Sequence, residues 1–374
     1  MVSQAGHLPP GAGRGYHQSR QGGNSGEHPV PAHQNFWNQQ YSRLDKVLAQ
    51  MPRRVDGKIA WGNIRVAQCD TGYTRHPALG FPATASGESP WVKRDLGRDF
   101  FDGKTDPKDP LIKTPWQPPG HGTRTASALT GDDAEISGLA PRLPIVPYRV
   151  NDDSLIGTQS VRAIGRAIRH AIDENRCQIV TISLGFPVVS EGEMGAAIDY
   201  AYENGVIVVA ACGQMTNKVS YPAKHRRSIG VAGVWKRSSD YKIYYPYENY
   251  ARVDIFAPAK PVWRADVKCD DDGDFEDWTY GEGDGTSYAV PHVTATAAMW
   301  LVLRGPEITA KYGSTWKRVE AFRKLLRLTQ RVLLFQAPPD CVARALDADA
   351  LVRRALPNIA DTDFEADLAA DDRF

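Results

Sequence analysis

Residues 178–211, QIVTISLGFPVVSEGEMGAAIDYAYENGVIVVAA, decide the fold of this chain. The stretch 178–184 is short, rich in β-branched residues and followed by a glycine, which is typical of a strand. Residues 194–204 have helical spacing, and Gly205 stands where a helix commonly ends. Residues 206–211 are continuously apolar, as in a central parallel strand that is buried on both faces. This segment therefore predicts a β–α–β unit.

The flanking sequence repeats the same alternation of strands and helices. Residues 64–69 and 143–150 are two further apolar strand candidates, and residues 160–174 place their apolar side chains on one helical face. Repeated β–α–β units of this kind give a parallel sheet with helices on both faces. We therefore expect a three-layer, doubly wound α/β domain with a mostly parallel sheet.

The composition is that of an ordinary globular domain, with 374 residues, of which 42% are hydrophobic and 24% charged. A formal net charge of +1 gives no overall field that favours nucleic acid or an acidic membrane, so neither partner is expected. No run of the sequence approaches the ~18 apolar residues that span a membrane, and the N-terminal residues lack the apolar core of a signal peptide. These features predict a cytoplasmic protein and leave its oligomeric state open.

The five cysteines are widely scattered and include no CxxC pair. In a chain of this size they indicate free or buried thiols and not a disulfide framework. They stand at Cys69, Cys177, Cys212, Cys269 and Cys341.

Changes in composition divide the chain into four segments. Residues 1–34 are rich in Gly, Pro, Gln and His and are predicted to be a disordered arm. Residues 35–57 are predicted to contain one amphipathic helix, over 35–51, and a linker. Residues 58–356 form the main domain, and residues 357–374 are predicted to be an acidic C-terminal tail.

The residues that follow the predicted strands are candidates for function. In an open parallel sheet, ligands bind at the carboxyl ends of the strands. Asp70 follows the strand at 64–69, residues 183–185 end the strand that begins at residue 178, and residues 213–214 follow the last strand of the unit. We expect all three segments to meet at one edge of the sheet.

Three short glycine-rich segments supply the groups that nucleophilic catalysis requires. They are CDTG at 69–72, GHGT at 120–123 and GTSYAVPH at 285–292. A hydroxyl nucleophile needs an imidazole to take its proton, and that imidazole needs a carboxylate to fix its tautomer. The first segment alone would also suit an aspartic protease. Together, in the order Asp70, His121, Ser287, the three segments indicate a serine hydrolase.

The chain resembles the subtilase family of serine proteases over roughly residues 58–356, which would then be the catalytic domain. The resemblance is carried by DTGYTRHPAL at 70–79, GHGTRTA at 120–126 and GTSYAVPHVTA at 285–295. It implies a subtilisin-like fold and a serine endopeptidase. The lack of a signal-peptide core in the given sequence suggests limited intracellular processing of a protein or peptide as its role. No cofactor is expected to be required.

The resemblance also implies a role for each site residue. Ser287 would form the acyl-enzyme at the start of a helix that runs to about Leu303, His121 would act as general base and then acid, and Asp70 would orient the imidazole. The backbone of Ser183, Leu184 and Gly185 would bind a protein or peptide substrate as an added β-strand.

One departure from the family pattern concerns the oxyanion hole. The family usually has Asn where this chain has Gln214, which keeps the carboxamide donor but adds one methylene. The nearby Asn217 is a candidate substitute. Two other functions remain open at this point. One is a transpeptidase or macrocyclase on the same fold, and the other is a catalytically silent peptide-binding protein.

The remaining polar features suggest no second chemistry. Residues 270–277, DDDGDFED, allow calcium binding, but their spacing departs from an EF-hand, and a solvated acidic loop is the simpler interpretation. His292 is expected to serve packing, because it lies within the helix that follows Ser287. Residues 316–331 predict a surface helix with its apolar face inward and not a nucleic-acid motif. No metal site is predicted.

Overall fold

The computed structural model describes residues 36–82, 86–114, 118–186, 191–238, 240–270, 275–332 and 344–364. In chain order, the helices are α1 (Trp37–Ser42), α2 (Leu44–Leu48), α3 (His121–Thr130), α4 (Thr158–Asp173), α5 (Gly192–Glu203), α6 (Thr286–Tyr312), α7 (Trp316–Thr329) and α8 (Ala348–Arg353). The strands are β1 (Val66–Asp70), β2 (Arg98–Asp99), β3 (Ile145–Arg149), β4 (Ile179–Ile182), β5 (Ile207–Ala211), β6 (Ile229–Lys236), β7 (Tyr241–Ile243), β8 (Ile255–Lys260), β9 (Val262–Cys269), β10 (Phe275–Gly283), β11 (Arg331–Val332) and β12 (Arg344–Ala345). Within these ranges, no helix is both long and apolar enough to cross a membrane.

One large sheet runs through the molecule. Its strand order is β11-β12-β8-β6-β5-β4-β1-β3-β2, and β7 pairs with β6 beside this path. From β12 to β2 every neighbouring pair is parallel, whereas β11 and β7 are antiparallel to their neighbours. At the centre, Val66 of β1 pairs with Ile145 of β3 on one side and with Ile179 of β4 on the other. The predicted mostly parallel sheet is confirmed.

Helices cover both faces of this sheet. Because successive side chains of a strand point to opposite faces, Val66 and Ile145 pack towards α3 and α6. Their neighbours Ala67 and Val146 pack towards α4 and α5 on the other face. The chain therefore has two apolar layers separated by the sheet, which is the three-layer arrangement that the sequence predicted.

The long helix α6 lies along the middle of one face. Its residues from Thr286 to Leu301 are buried without interruption. The end predicted near Leu303 was wrong, because the helix continues through Pro306 to Tyr312. Glycine and proline at 305–306 are typical of a helix end, but the buried side chains of Ile308 and Tyr312 extend the packed face beyond them.

The N-terminal segment forms two short helices, so the single helix predicted over 35–51 was wrong. Arg43, between α1 and α2, is in the left-handed conformation with φ 58°. The break separates two anchors. On α1, the Trp37 indole donates to the carbonyl of Pro261 at 2.7 Å, whereas Leu44 and Val47 of α2 are buried in the core beside α6. Residue 35 and the arm predicted at 1–34 lie outside the described residues.

The described residues after residue 356 pack on the main domain. The ring of Phe364 stacks with that of Tyr202 at 6.1 Å and contacts that of Trp316 at 5.3 Å. Residues 365–374 of the predicted acidic tail lie outside the described residues.

An antiparallel ribbon of β9 and β10 precedes α6, and no sequence pattern predicted it. Val262 pairs with Gly283 at its base, and Ala265 pairs with Tyr280 further along. Within the acidic stretch 270–277, residues 275–277 begin β10, and residues 271–274 lie outside the described part of the chain. The ribbon therefore leads the chain from the end of β8 back to the start of α6.

The four described cysteines are free thiols, as predicted. Three of them, Cys69, Cys177 and Cys212, are buried, and Cys269 is partly exposed. Cys341 lies outside the described residues.

His292 is fully buried in α6. Its Nδ1–H donates to the carbonyl of Tyr288 at 2.9 Å, and Nε2 has no hydrogen-bond partner in the described part of the chain. Burial lowers the pKa of His292 to about 3, although the hydrogen bond to the backbone favours protonation. The imidazole is therefore neutral in the folded protein at ordinary pH.

We expect the variant His292→Leu to resist acid better than the wild type. Because the unfolded chain binds a proton near pH 6.5 and the folded chain only near pH 3, His292 weakens folding progressively as the pH falls between those values. The difference in unfolding free energy between the two proteins should change by up to about 1.4 kcal/mol per pH unit. Urea unfolding from pH 7 to pH 4 measures it. A pH-independent difference would contradict this assignment.

Candidate active site

The three candidate residues form a continuous hydrogen-bonded chain. Asp70 is the last residue of β1, His121 the first residue of α3, and Ser287 lies in the first turn of α6. The Nδ1 atom of His121 lies 2.7 Å from Oδ1 of Asp70, and its Nε2 atom lies 3.1 Å from Oγ of Ser287. All three residues are buried. The geometry thus brings a carboxylate, an imidazole and a hydroxyl together in the order that proton transfer requires.

The carboxylate of Asp70 is held by further donors. The N–H of Thr71 donates to its Oδ1 at 2.8 Å, and the hydroxyl of Thr125, on α3, donates to its Oδ2 at 3.0 Å. With His121 on the same Oδ1, three groups fix the carboxylate in one orientation. A carboxylate that is fixed in this way is well suited to orient the imidazole of His121.

A second carboxylate lies behind this group. The hydroxyl of Thr71 donates to Asp109 at 2.5 Å, and the backbone N–H of Leu111 donates to the same side chain at 2.8 Å. Burial raises the pKa of Asp109 to about 6, although these hydrogen bonds oppose the increase. Since Thr71 also accepts from the N–H of Gly122 at 3.0 Å, Asp109 supports the contact between the turn after β1 and the start of α3.

Two glycines allow α3 to approach the turn after β1. A Cβ atom added to Gly122 would lie 2.0 Å from the carbonyl oxygen of Gly72, and Gly72 itself has φ +105°. No side chain fits between these backbones. Glycine at both positions therefore lets His121 and Asp70 come within hydrogen-bond distance.

The nucleophile candidate is also tied to the end of β4. The hydroxyl of Ser287 donates to the carbonyl of Ser183 at 2.9 Å, and the hydroxyl of Ser183 donates to the carbonyl of Ser287 at 3.0 Å. From the sequence, Ser183 was expected to take part only in substrate binding. Its side chain fixes the backbone of Ser287 as well, which no sequence pattern indicated.

Gln214 is anchored to the start of α6. Its Oε1 accepts from the N–H of Thr286 at 3.1 Å and from the hydroxyl of Thr286 at 2.7 Å. Because a backbone N–H can only donate, the amide oxygen faces Thr286 and the NH₂ group faces away from it. A Cβ atom on Gly285 would lie 3.2 Å from this Nε2, so the donor stands beside the turn that precedes Ser287.

Asn217 does not take the place of Gln214. Its side-chain amide donates to the carboxylate of Glu248 at 2.5 Å, and its backbone carbonyl accepts from the N–H of Glu248 at 2.8 Å. It lines a different cavity from the one that contains Ser287. The structure therefore leaves Gln214 as the side-chain amide beside the nucleophile candidate.

A cleft of about 370 Å³ opens onto Ser287 and His121. One wall contains the segment Ser183–Gly185 together with Ser154 and Leu155, from the loop after β3. The Gly185 N–H donates to the carbonyl of Ser154 at 2.9 Å, so the two backbone edges are joined. Both lie at the carboxyl ends of their strands, where the sequence predicted the site.

Cation binding finds no support among the described residues. In that part of the chain, no three His, Cys, Asp or Glu side chains are arranged to hold a metal ion. Residues 271–274 of the acidic stretch whose composition allows calcium binding lie outside the described ranges.

A model of the subtilase family matches residues 62–331. This chain belongs to the subtilase family. It is 29% identical over 259 residues to thermitase of Thermoactinomyces vulgaris, an alignment that covers 66% of this chain and 80% of thermitase. It is 27% identical over 300 residues to the major intracellular serine protease of Bacillus subtilis, covering 77% of this chain and 81% of that protein. This subtilase is thus a subtilisin-like serine protease.

Solved structures show the same fold at low sequence identity. A protease from Pseudoalteromonas arctica superposes with a TM-score of 0.66 at 20% identity, covering 87% of this subtilase and 99% of that chain. Fervidolysin from Fervidobacterium pennivorans, described as a keratinolytic enzyme, superposes with a TM-score of 0.64 at 22% identity. That alignment covers 86% of this subtilase and 46% of the fervidolysin chain.

Gly122→Ala should destabilise the protein by at least roughly 1–3 kcal/mol, because the new methyl group overlaps the backbone of Gly72. The matched control is Gly281→Ala in β10, where an added Cβ meets no atom within 4 Å. Replacing that glycine should leave the unfolding free energy unchanged or slightly higher, because alanine loses less chain entropy than glycine on folding. Urea unfolding of both variants measures the difference. Equal effects at the two positions would contradict the close approach.

Gln214→Ala should lower kcat by roughly 10²–10³ with little change in KM, because it removes the side-chain amide donor that stands beside the turn before Ser287, where an oxyanion would form. Asn217→Ala is the control, since that amide is bonded to Glu248 outside the cleft and its loss should leave kcat unchanged. Steady-state kinetics on one peptide substrate compare the two. The opposite pattern would assign the donor to Asn217.

Proposed function

We propose that this subtilase is an endopeptidase whose catalytic residues are Asp70, His121 and Ser287. The observation that carries the proposal is the unbroken hydrogen-bonded chain from Asp70 to Ser287 at the wall of the cleft. A carboxylate that fixes one nitrogen of an imidazole leaves the other nitrogen free to take a proton from a hydroxyl.

Acylation begins with attack of Ser287 Oγ on the carbonyl carbon of the scissile bond. His121 Nε2 takes the hydroxyl proton, and Asp70 stabilises the imidazolium without being protonated. The carbonyl oxygen becomes an oxyanion, for which the Nε2 of Gln214 and the backbone N–H of Ser287 are the proposed donors. His121 then gives its proton to the leaving amine, the C–N bond breaks, and an ester to Ser287 remains.

Deacylation repeats these steps with water as the nucleophile. His121 takes a proton from the water, whose oxygen attacks the ester carbon. When the tetrahedral intermediate collapses, the C–O bond to Ser287 breaks and His121 returns the proton to its oxygen. The product carries a new carboxyl group, and the enzyme is restored.

The backbone of Ser183–Gly185 is the proposed binding edge for an extended peptide. In the resting enzyme the Gly185 N–H is bonded to Ser154, and it must exchange that bond for one to the peptide. A peptide N–H that bonds to the carbonyl of Ser183 also competes with the hydroxyl of Ser287. The hydroxyl of Ser287 has one proton to donate. Once the peptide N–H occupies the carbonyl of Ser183, that proton is free for a hydrogen bond to Nε2 of His121.

The biological role that we propose is limited processing of a protein or peptide inside the cell. It is supported by the similarity to a relative named as a major intracellular serine protease. Binding through main-chain atoms does not by itself select a sequence, so side chains beside the cleft would set the preference.

A fluorophosphonate probe tests the catalytic assignment. The wild type should be labelled on Ser287, as located by peptide mass spectrometry, whereas Ser287→Ala should not be labelled although its circular dichroism spectrum is unchanged. Loss of the nucleophile should reduce peptide turnover by roughly 10⁴-fold or more. A folded wild type that is not labelled would refute the enzymatic assignment and favour a silent peptide-binding protein.

The masses of the products then distinguish hydrolysis from transpeptidation. Hydrolysis adds one water molecule across the cleaved bond, whereas cyclisation of the acyl fragment adds none. We expect the products of a defined peptide to include a free carboxyl terminus. Cyclic or amine-transferred products as the main species would show that an amine and not water resolves the acyl-enzyme.

A further inference from the structure

The strand β9 connects the two helices that carry His121 and Ser287. On α3, the hydroxyl of Ser127 accepts from the N–H of Ala265 at 2.9 Å, and a Cβ on Gly120 would lie 3.2 Å from the side chain of Val267. At its other end, Val262 packs in one buried cluster with Ala128 of α3 and Tyr288 of α6. The ribbon is therefore in contact with both helices beside the cleft.

Arg124 secures the start of α3. It lies three residues after His121, and its side chain is only 4% exposed. Its guanidinium donates to the carbonyls of Pro118 at 2.5 Å and of Pro119 at 2.6 Å, and to Asp266 of β9 at 3.2 Å. The two carbonyls belong to the residues directly before Gly120 and His121, so the position of the imidazole depends on where this guanidinium is held.

Asp266 also pairs with a second arginine, which is partly buried. Its Oδ2 lies 2.6 Å from Nη1 of Arg264, whose side chain is 13% exposed. Arg264 lies beside Tyr288, the neighbour of Ser287 in the chain. A Cβ atom on Gly283 would be 2.7 Å from Arg264 Nε and 3.0 Å from the Tyr288 hydroxyl. The chain of contacts thus runs from the start of α3 to the start of α6.

The charges of this group balance through one carboxylate. Burial raises the pKa of Asp266, but Arg264 and Arg124 outweigh it, so that its pKa lies below the usual range. Burial likewise lowers the pKa of Arg264, but Tyr288 and Asp266 outweigh that effect and the net shift is upward. In the described part of the chain, no other carboxylate pairs with either guanidinium. Removing the charge of Asp266 would leave both guanidinium groups without a paired carboxylate among the described residues.

We propose that Asp266 is a positioning residue that aligns His121 with Ser287 through Arg124 and Arg264. It is not among the residues that line the cleft, whereas both arginines are. Its carboxylate therefore acts on the reaction through the two helices and not by touching the substrate. The inference rests on the proposed function, because it concerns the transfer of a proton between those two catalytic residues.

The test compares Asp266→Asn with Asp266→Glu, well below the unfolding temperature of each variant. Asp266→Asn should lower kcat and the rate of fluorophosphonate labelling by roughly tenfold or more with KM nearly unchanged, because small displacements of reacting groups are costly. Asp266→Glu keeps the charge and should recover most of the loss. If Asp266 only stabilised the fold, Asp266→Asn would lower the unfolding midpoint but would not lower kcat at an unchanged KM.

Asp199→Asn is the matched control. Asp199 of α5 pairs with Arg227 at 2.9 Å, and the exposures of the two side chains, 33% and 7%, resemble those of Asp266 and Arg124, 29% and 4%. Neither Asp199 nor Arg227 lines the cleft that contains Ser287. This variant should lose a similar ion pair and keep its kcat.

The possible outcomes separate the two proposals. If the wild type is labelled but Asp266→Asn retains kcat within about twofold, the positioning role is refuted and the proposed function stands. If the folded wild type is not labelled, the proposed function itself fails. Should Asp266→Asn not fold, Arg264→Met decides, since it cuts the link to Tyr288. A lower kcat at unchanged KM supports the proposal, and an unchanged kcat overturns it.

Discussion

The approach of α3 to the turn after β1 is the constraint on which the rest of the site depends. Two backbones meet there so closely that a Cβ on Gly122 would lie 2.0 Å from the oxygen of Gly72. The same contact lets His121 reach Asp70 and lets Thr71 bond to the N–H of Gly122. Because these bonds share one turn, widening the gap would break all of them together. The sheet supplies that turn at the carboxyl end of a central strand.

The position of Ser287 has a different origin. It is set by α6, which is buried along most of its length and is therefore fixed by packing over many residues. Alignment of His121 with Ser287 is thus a relation between two helices that pack in one core cluster. The contacts of β9, which reach both helices, refine a geometry that burial alone sets only coarsely.

The sequence was sufficient for the sheet and for the edge where the site lies. Strands such as β4 and β5 are buried along their whole length and consist mainly of apolar, β-branched residues, so their pattern is local and needs no knowledge of distant residues. The break at Arg43 was missed because the apolar spacing continues through it, and only the separate anchors of α1 and α2 show the change of direction. Arg124 and Asp266 are 142 positions apart, and neither lies in a pattern that indicates a partner. Such ion pairs become visible only when the ribbon has been placed between the two helices.

The departure at Gln214 shows how a residue can differ from a family pattern and keep the same donor. The sequence raised the problem of one additional methylene, which displaces the amide from the backbone. In the structure that length is used to reach Thr286, 72 positions away, where the amide oxygen accepts two hydrogen bonds. The NH₂ group is thereby fixed relative to α6, the helix that carries Ser287. The proposed oxyanion donor and the nucleophile therefore share one support, and a shift of that helix would move both together.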